Sequence, residues 1–483
     1  MERRDFINKV GKSILGITSY SLLGNTIKFN ETGEKWNFVF ILADDMGWNQ
    51  VGYGGSKFYE TPNIDKIAKE GIYFTQAYSA APTCSPSRAG IMTGKAPARV
   101  HITEYIPGDD YPWAKLRAPK MAERLELQEV TLAELLKGEG YTSAMIGKWH
   151  LNKDKNYQPG RLGDAESQGF DYVHATVKPE SDADPNKDAH HATELTNEAI
   201  NFLDQNKENP FFLYIAHHIV HRPIMENPGL IYKYQEKEDS DKLINNPIMG
   251  AMIERLDLEI GRILKKIDEL NLKDNTIIVF MSDNGGYDKL QSQDPLRGGK
   301  SMLYEGGIRV PLAIRWPGVI KPGSQSRQKV IGMDFFPTFA EIAGIKKLPQ
   351  DIDGVSIVPT LKKSDETERT LYWHYPHYHR FGYMPSGAII EGKYKLIEWY
   401  EKSLLGKDKP YSLFNLETDI SEEKDLSEEL TDIAEKMWIK LKNWRKNVDA
   451  QEMTINQNYD QEKALFWRDT VDPNDAASIG QYY

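Results

Sequence analysis

Short apolar runs alternate with segments of helical periodicity through the first two thirds of the chain. The runs that matter most cover residues 38–42, 142–146, 211–216 and 276–281. Continuous apolar strands separated by helices are typical of a parallel sheet covered by helices. The pattern therefore predicts an α/β fold over residues 36–348, with a central, mostly parallel sheet flanked by helices.

The pattern changes after about residue 349. Residues 370–374 and 411–415 are predicted strands, and residues 386–400 are a predicted hairpin. An amphipathic helix is predicted around residues 430–447. Its apolar positions are Ile433, Met437, Ile439, Leu441 and Trp444. We interpret residues 349–483 as a smaller C-terminal α+β subdomain, an antiparallel sheet plus a helix, packed on the first domain.

The N-terminus combines adjacent arginines, Arg3 and Arg4, with a modestly apolar stretch over residues 14–23. This arrangement is typical of an export signal of the twin-arginine type. We expect residues 1–25 to be an export signal and the mature protein to be periplasmic, on the cell surface or secreted. A basic tail without a targeting role is the alternative. No later segment approaches the roughly 20 apolar residues that a membrane helix requires, so no integral membrane segment is expected.

Composition limits the classes of function. The chain has 483 residues, with 60 Lys or Arg against 71 Asp or Glu, and a formal net charge of −11. This charge excludes a generally basic nucleic-acid binder, so no nucleic-acid partner is expected. Apolar residues, at 40%, supply enough material for a sizeable core. The chain has one cysteine, Cys84, so it forms no intramolecular disulfide, and any role of Cys84 rests on its own chemistry.

Chemically capable side chains follow all four apolar runs. They are Asp44 and Asp45, then Lys148 and His150, then His217, His218 and His221, and finally Asp283 and Asn284. In open α/β sheets, ligands bind at the carboxyl ends of the strands, so these strand ends predict one site. Calcium and magnesium prefer carboxylate and amide oxygens, which makes the two acidic pairs candidate metal ligands. Each pair taken alone is also typical of a turn or a helix cap.

Cys84 lies in the segment Thr-Cys-Ser-Pro-Ser-Arg-Ala-Gly, residues 83–90. A lone cysteine is by default a small buried hydrophobic residue. Here a proline-containing turn, an arginine four positions later and a segment able to begin a helix place residue 84 near a helix N-terminus. Backbone N–H groups at that position favour negative charge.

The pattern Cys-x-Pro-Ser-Arg at residues 84–88, followed by Thr-Gly at 93–94, resembles the signature of the formylglycine-dependent sulfatases of the alkaline phosphatase superfamily. Three more segments are similar to that family in the same order: Ala-Asp-Asp-Met-Gly at 43–47, Gly-Lys-Trp-His at 147–150, and Leu-Arg-Gly-Gly-Lys through Arg-Val-Pro at 296–311. The similarity covers residues 36–343 well and continues more loosely through 411–417. Four motifs in the family's order are not a chance match.

The resemblance implies an alkaline-phosphatase-like fold and hydrolysis of sulfate esters. It further implies that a formylglycine-generating enzyme oxidises Cys84 to formylglycine (3-oxoalanine) and that each chain binds one Ca²⁺. The implied calcium ligands are Asp44, Asp45, Asp283, Asn284 and the modified Cys84. Arg88 would hold and activate the aldehyde hydrate. The residues implied to surround the sulfate are Lys148, His150, His221 and Lys300.

The implied chemistry is coherent because an aldehyde hydrate carries two hydroxyl groups. One hydroxyl, acidified by the metal, attacks sulfur, while His221 with Lys300 protonates the leaving oxygen. His150 then takes the proton of the second hydroxyl, so that sulfate is expelled and the aldehyde returns. A serine or an unmodified cysteine lacks the second hydroxyl and is expected to stall as a covalent ester.

Because the chain is acidic overall, recognition of an anionic substrate requires a local basic patch. Further candidate substrate contacts are His101, Arg222, Arg297, His374 and His377. The last two lie in residues 373–380, where histidines alternate with aromatic residues that could stack on sugars. A strand packed between the domains is the alternative for that segment. Glu104 and Tyr105 are also candidates for the rim of the site.

These observations predict an exported sulfatase acting on a sulfated polysaccharide or oligosaccharide. Algal polysaccharides such as ulvan and glycosaminoglycans both fit as substrates. A second hypothesis is a phosphonate or phosphate ester hydrolase of the same superfamily. A third is a noncatalytic protein that binds sulfated glycans.

Overall fold

The computed structural model describes residues 35–363, 366–379 and 383–464. The predicted export signal, residues 1–25, and Arg380 of the histidine-rich segment lie outside the described residues. Within the described ranges, every helix is too short or too polar to cross a membrane.

The described residues form strands and helices in alternation up to about residue 342. The strands are β1 (Asn37–Ala43), β2 (Ile72–Phe74), β3 (Ala77–Tyr78), β4 (Leu116–Arg117), β5 (Thr142–Gly147), β6 (Tyr172–Ala175), β7 (Phe211–Ala216), β8 (Thr276–Ser282), β9 (Leu312–Arg315), β10 (Ser324–Ser326), β11 (Val330–Ile331), β12 (Leu371–Tyr375), β13 (Ser386–Glu391), β14 (Tyr394–Trp399), β15 (Tyr411–Asn415) and β16 (Thr454–Ile455). The helices are α1 (Pro62–Glu70), α2 (Cys84–Thr93), α3 (Pro97–Val100), α4 (Leu132–Lys137), α5 (Ala192–Asn206), α6 (Pro228–Gln235), α7 (Pro247–Glu269), α8 (Glu305–Ile308), α9 (Phe335–Ile342), α10 (Val358–Lys363), α11 (Tyr400–Leu404) and α12 (Thr431–Asn447).

The large sheet confirms the predicted α/β architecture. Its eight strands run in the order β10-β2-β9-β8-β1-β7-β5-β6. Strand β1 lies parallel between β7 and β8, and β9 is antiparallel to both of its neighbours, β2 and β8. Every residue of β1 is buried, with Phe38 and Phe40 in one core cluster and Val39 and Ile41 in the other. The sheet therefore separates two cores, which explains why its central strands are apolar without alternation.

Strand register brings the predicted site residues to one edge. Leu42 at the end of β1 pairs with Ala216 of β7, and Ala43 pairs with Ser282 of β8. On the other side of β7, Gly147 at the end of β5 pairs with the same Ala216. The segments that begin at residues 44, 148, 217 and 283 therefore leave the sheet side by side.

The C-terminal part contains the predicted antiparallel sheet and helix. Strands β12, β13, β14 and β15 pair in sequence order, and α12 packs on one face of this small sheet. The prediction for Ile439 was wrong, because this side chain is 45% exposed. The face that packs carries Ala434, Met437 and Leu441, and residue 439 lies about 200° around the helix axis from residue 437. The boundary near residue 349 stays a prediction.

A buried ionic cluster joins the small sheet to the large domain. Lys395 of β14 lies 3.0 Å from the carboxylate of Glu305, which begins α8, and 2.9 Å from that of Glu422. All three side chains are fully buried. Burial raises the pKa of Glu422 to about 7. Burial also opposes ionisation of Glu305, but the charges of Lys395 and Arg309 lower its pKa below the ordinary value.

Replacement of Lys395 is predicted to destabilise the fold. Lys395→Met removes the ammonium that lies between two buried carboxylates, and breaking such a buried pair typically costs about 3–5 kcal/mol. Urea unfolding of the variant against wild type measures the loss. Lys393→Met, at an exposed position two residues earlier, is the matched control and should change stability by less than about 0.5 kcal/mol. Equal losses in the two variants would contradict the role of the cluster.

Candidate active site

The strand ends place the predicted residues through unusual backbone geometry. Asp45 follows β1 with φ at 62°, and His150 follows β5 with φ at 56°. Left-handed conformations are uncommon for residues other than glycine and concentrate at functional sites, where the surrounding structure holds them. Each of the two residues also lines the cavity described below, so the turns aim polar side chains into it.

Cys84 is the first residue of α2, as predicted from the sequence. All ten residues of this helix are buried. The Sγ atom of Cys84 lies 3.4 Å from Oδ1 of Asp44 and 3.8 Å from Oδ1 of Asp45. Burial, together with the charge of Asp283, raises the pKa of the Cys84 thiol well above its ordinary value. An unmodified Cys84 is therefore a neutral thiol, which is a poor nucleophile.

Three carboxylates meet around Cys84. Ligand atoms of Asp44, Asp45, Asp283 and Cys84 all lie within 4.8 Å of one another, and all four residues are buried. The amide of Asn284 donates to Oδ1 of Asp45 at 2.8 Å, while the Asn284 Oδ1 atom is buried without a hydrogen-bond partner among the described residues. Buried polar atoms are normally satisfied. This set of oxygens fits a hard divalent cation.

Three cations balance the three carboxylates. Arg88 donates from Nε and a terminal nitrogen to Oδ2 of Asp283, at 2.9 and 2.8 Å. Lys148 Nζ lies 2.6 Å from Asp44, and Lys300 Nζ lies 2.7 Å from Asp45. Burial opposes the charge on both lysines, but Asp44 raises the pKa of Lys148 and Asp45 raises that of Lys300. Addition of a divalent cation would give this cluster a net positive charge, which suits an anionic substrate.

Two histidines present a ring nitrogen to the site. His221 Nδ1 lies 2.7 Å from the carbonyl of Arg222, which can only accept, so Nδ1 is assigned the proton. Its Nε2 atom lies 3.8 Å from Asp45. His150 Nε2 lies 2.9 Å from the carbonyl of Ile106, so the same reasoning assigns the proton to Nε2. The Nδ1 atom of His150 is then an acceptor, and it has no hydrogen-bond partner among the described residues. Burial, and then neighbouring lysine charges, lower the pKa of both rings, so both are neutral.

A cavity of about 450 Å³ lies over this cluster. Its lining includes Asp45, Cys84, Lys148, His150, His221 and Lys300 from the predicted site. Arg222 and Tyr105 also line it, as predicted for the rim. A volume of this size is typical of a small-molecule binding site.

Four other predicted rim residues are not brought to the cavity, because their polar atoms fix local structure. His374 bonds to the Tyr400 hydroxyl at 2.6 Å and to the Gln451 carbonyl at 2.9 Å. The other contacts are His101 with the Asp449 carbonyl (2.9 Å), His377 with the Thr103 hydroxyl (2.8 Å), and Arg297 with the Glu422 carbonyl (2.6 Å). Both His374 and His377 are buried, which favours the alternative of a packed strand for residues 373–378.

Sequence reasoning missed Lys178 and Tyr287, which also line the cavity. Lys178 follows β6, a strand of four half-buried residues that lacks a clear apolar run. The end of β6 is therefore a fifth strand end at this edge, but no continuous apolar run marks the strand in the sequence. Tyr287 lies four residues after Asp283 in an irregular segment and carried no motif.

The edge of the parallel sheet brings three carboxylates, three cations and a cysteine to the floor of a cavity. This arrangement suits an enzyme that acts on anionic esters. Comparison with known families gives the particular class. Residues 36–345 match the family model described as Sulfatase. Residues 299–447 match the model described as N-sulphoglucosamine sulphohydrolase, C-terminal. The chain belongs to the sulfatase family, and it is a sulfuric ester hydrolase.

Relatives support this assignment over most of the chain. A protein named Sulfatase from Formosa agariphila is 30% identical over 91% of this chain and 94% of its own length. N-acetylgalactosamine-6-sulfatase from Mus musculus is 31% identical over 75% of this chain and 72% of its own length. The crystal structure of Ps i-CgsB in complex with k-i-k-neocarrahexaose superposes with a TM-score of 0.73 at 28% identity, over 92% of this chain and 100% of that one.

Glu104 lies behind the cavity wall rather than at its rim. It is 2% exposed and accepts hydrogen bonds from the Tyr105 backbone N–H, at 2.7 Å, and from the Tyr375 hydroxyl. Burial is the main cause that raises the pKa of Glu104 to about 7. The carboxyl is therefore neutral below that pH.

Stability is predicted to depend on the protonation of Glu104. Because the raised pKa lies above the unfolded value of about 4.3, the folded chain binds the extra proton in that window. The resulting contribution is full below the unfolded pKa, and it falls by about 4 kcal/mol in total as pH rises from there through 7. Glu104→Gln should flatten this part of the profile, as measured by urea unfolding between pH 4.5 and 8. Parallel profiles for wild type and variant would rule the assignment out.

Proposed function

We propose that this protein is an exported carbohydrate sulfatase that uses Ca²⁺ and a formylglycine derived from Cys84. The observation that carries the proposal is the position of Cys84 Sγ, at the start of a buried helix and within 3.4 and 3.8 Å of two carboxylates. The Cys-x-Pro-Ser-Arg pattern begins at that residue. A neutral buried thiol gives no reason for such a cluster, whereas an oxygen nucleophile next to a cation does.

Relatives support a sulfated carbohydrate as the substrate. One is named N-acetylgalactosamine-6-sulfatase, and a structure at 28% identity is a complex with k-i-k-neocarrahexaose. Algal polysaccharides such as ulvan, and glycosaminoglycans, both fall within the proposal. Export rests on residues 1–25, and the maturation partner would be a formylglycine-generating enzyme. Because Cys84 is only 1% exposed, that enzyme has to modify the chain before it has folded.

The donor set fits the cation. Asp44, Asp45, Asp283 and Asn284 would hold it, together with the modified residue 84. When present, the cation and the aldehyde hydrate supply an acidified hydroxyl for attack on sulfur. Arg88 fixes the carboxylate of Asp283 and donates to the Lys148 carbonyl at 2.6 Å, so it ties α2 to the end of β5.

The remaining side chains supply charge and protons. Lys148 and Lys300 offset negative charge on the sulfate oxygens, which grows in the transition state. An anionic ester between these lysines also raises the pKa of His221, so that its Nε2 can carry a proton to the leaving alcohol. His150 accepts a proton at Nδ1 during release of sulfate. The net reaction consumes one water and yields the alcohol and hydrogen sulfate.

Cys84→Ser is predicted to abolish turnover while leaving the fold intact. Sulfate release from an aryl sulfate should fall by about a factor of 10³ or more, because the side chain no longer has the second hydroxyl. Active wild-type protein should show the aldehyde at residue 84 by peptide mass analysis. Thermal unfolding of the variant is the control for folding.

Comparison of aryl sulfate and aryl phosphate substrates distinguishes a sulfatase from a phosphate ester hydrolase. Wild type should hydrolyse the aryl sulfate faster than an aryl phosphate monoester or diester. Faster phosphate release would overturn the sulfatase proposal, and so would an unmodified thiol in fully active protein.

Removal of calcium is predicted to lower both stability and activity. A cation that binds the folded state stabilises it by about 2.7 kcal/mol at 100 times its Kd. Chelation should therefore lower the Tm, and added Ca²⁺ should restore it. Asp283→Asn should lose most of this calcium response, since it removes one of the buried carboxylates. An unchanged Tm on chelation of the wild type would contradict the metal site.

A further inference from the structure

Two basic side chains stand above the catalytic cluster in the same cavity. Lys178 lies in the loop after β6, and Arg222 follows His221. The guanidinium of Arg222 lies 4.6 Å from the centre of the Tyr287 ring, a cation–π contact that orients it. With Lys148 and Lys300 below, and Lys155 on the wall, five lysine and arginine side chains line the cavity.

Lys178 differs from the two catalytic lysines in its surroundings. Lys148 and Lys300 each contact a carboxylate within 2.7 Å. For Lys178, the described part of the chain provides no carboxylate within 4.0 Å of Nζ and no hydrogen-bond acceptor for it. Burial and the charges of Arg222, Lys300 and Lys148 lower the pKa of Lys178. Lys178 is therefore a cation held among cations.

Acidic residues on the cavity wall do not neutralise Lys178. Asp164 is engaged by Arg161 at 2.9 Å and by the amide of Asn152 at 2.9 Å. Asp154 lies 3.9 Å from the same arginine. Glu180 lines the cavity but lies farther than 4.0 Å from Lys178. The described side chains therefore leave the charge of Lys178, an exposed residue at the cavity, to solvent or to a ligand.

We infer that Lys178, with Arg222, binds a second anionic group of the substrate. This inference rests on the proposed function and narrows its substrate class to sugars that carry a second sulfate or a carboxylate near the reactive sulfate ester. One sulfate ester brings a single negative charge, which Lys148 and Lys300 already face. Three further basic side chains, Lys155, Lys178 and Arg222, line the same cavity of about 450 Å³, which is more positive charge than one such group requires.

The test compares matched substrates. Three oligosaccharides share one reactive sulfate: the first carries no other charge, the second a further sulfate, and the third a uronate carboxylate. The readout is the ratio of kcat/KM for each doubly charged substrate to kcat/KM for the singly charged one. Lys178→Gln should lower this ratio about tenfold, which corresponds to one charge-assisted hydrogen bond. Lys178→Arg should retain most of it.

Controls separate this inference from the proposed function. Lys153→Gln removes the charge of an exposed lysine that is paired with Glu123 outside the cavity, and it should leave the ratio as in wild type. The substrate whose ratio falls identifies the second group as sulfate or carboxylate. An unchanged ratio for both in Lys178→Gln overturns the inference while sulfate release still upholds the proposed function. Absence of sulfate release by wild type from every substrate, aryl sulfates included, overturns the proposed function instead.

Discussion

The neutralisation of three buried carboxylates is the constraint on which the rest of the structure depends. Parallel strands with fixed register bring Asp44, Asp45 and Asp283 to one point, where isolated charges would be strongly unfavourable. Each carboxylate is therefore met by a cation from a different part of the chain. Arg88 comes from α2, Lys148 from the end of β5, and Lys300 from the segment before α8. These ion pairs connect the three segments to the edge of the sheet.

The small C-terminal sheet takes part in this arrangement. The segment that carries Lys300 leads into Glu305, which lies against Lys395 of the small sheet. Glu422 accepts from the Glu305 backbone N–H at 2.7 Å and, through its carbonyl, from Arg297. Contacts on both sides of Lys300 therefore anchor it to the C-terminal part of the chain. The position of this lysine depends on a fold element that carries none of the predicted metal ligands.

Strand ends and the helix start at Cys84 could be predicted from the sequence because each has a local cause. An apolar run ends where a polar residue follows, and a parallel sheet brings such ends together. The rim could not be predicted in this way. His374 and His377 were predicted to contact the ligand because they lie in a segment where histidines alternate with aromatic residues. Their hydrogen-bond partners in the fold, Tyr400 and Thr103, lie far away in sequence. No sequence motif marks Lys178, because only the folded cavity places it near other cations.

The complete enclosure of α2 has a consequence for the life of each molecule. All ten residues of this helix are buried, and among the described residues Cys84 lines only the cavity over the site, whose volume of about 450 Å³ suits a small molecule rather than a second protein. Under the proposed conversion, a chain that folds before Cys84 is oxidised stays permanently inactive, however stable its fold is. The specific activity of a preparation would then measure the fraction of chains that were converted before they folded, and mild refolding could not increase that fraction.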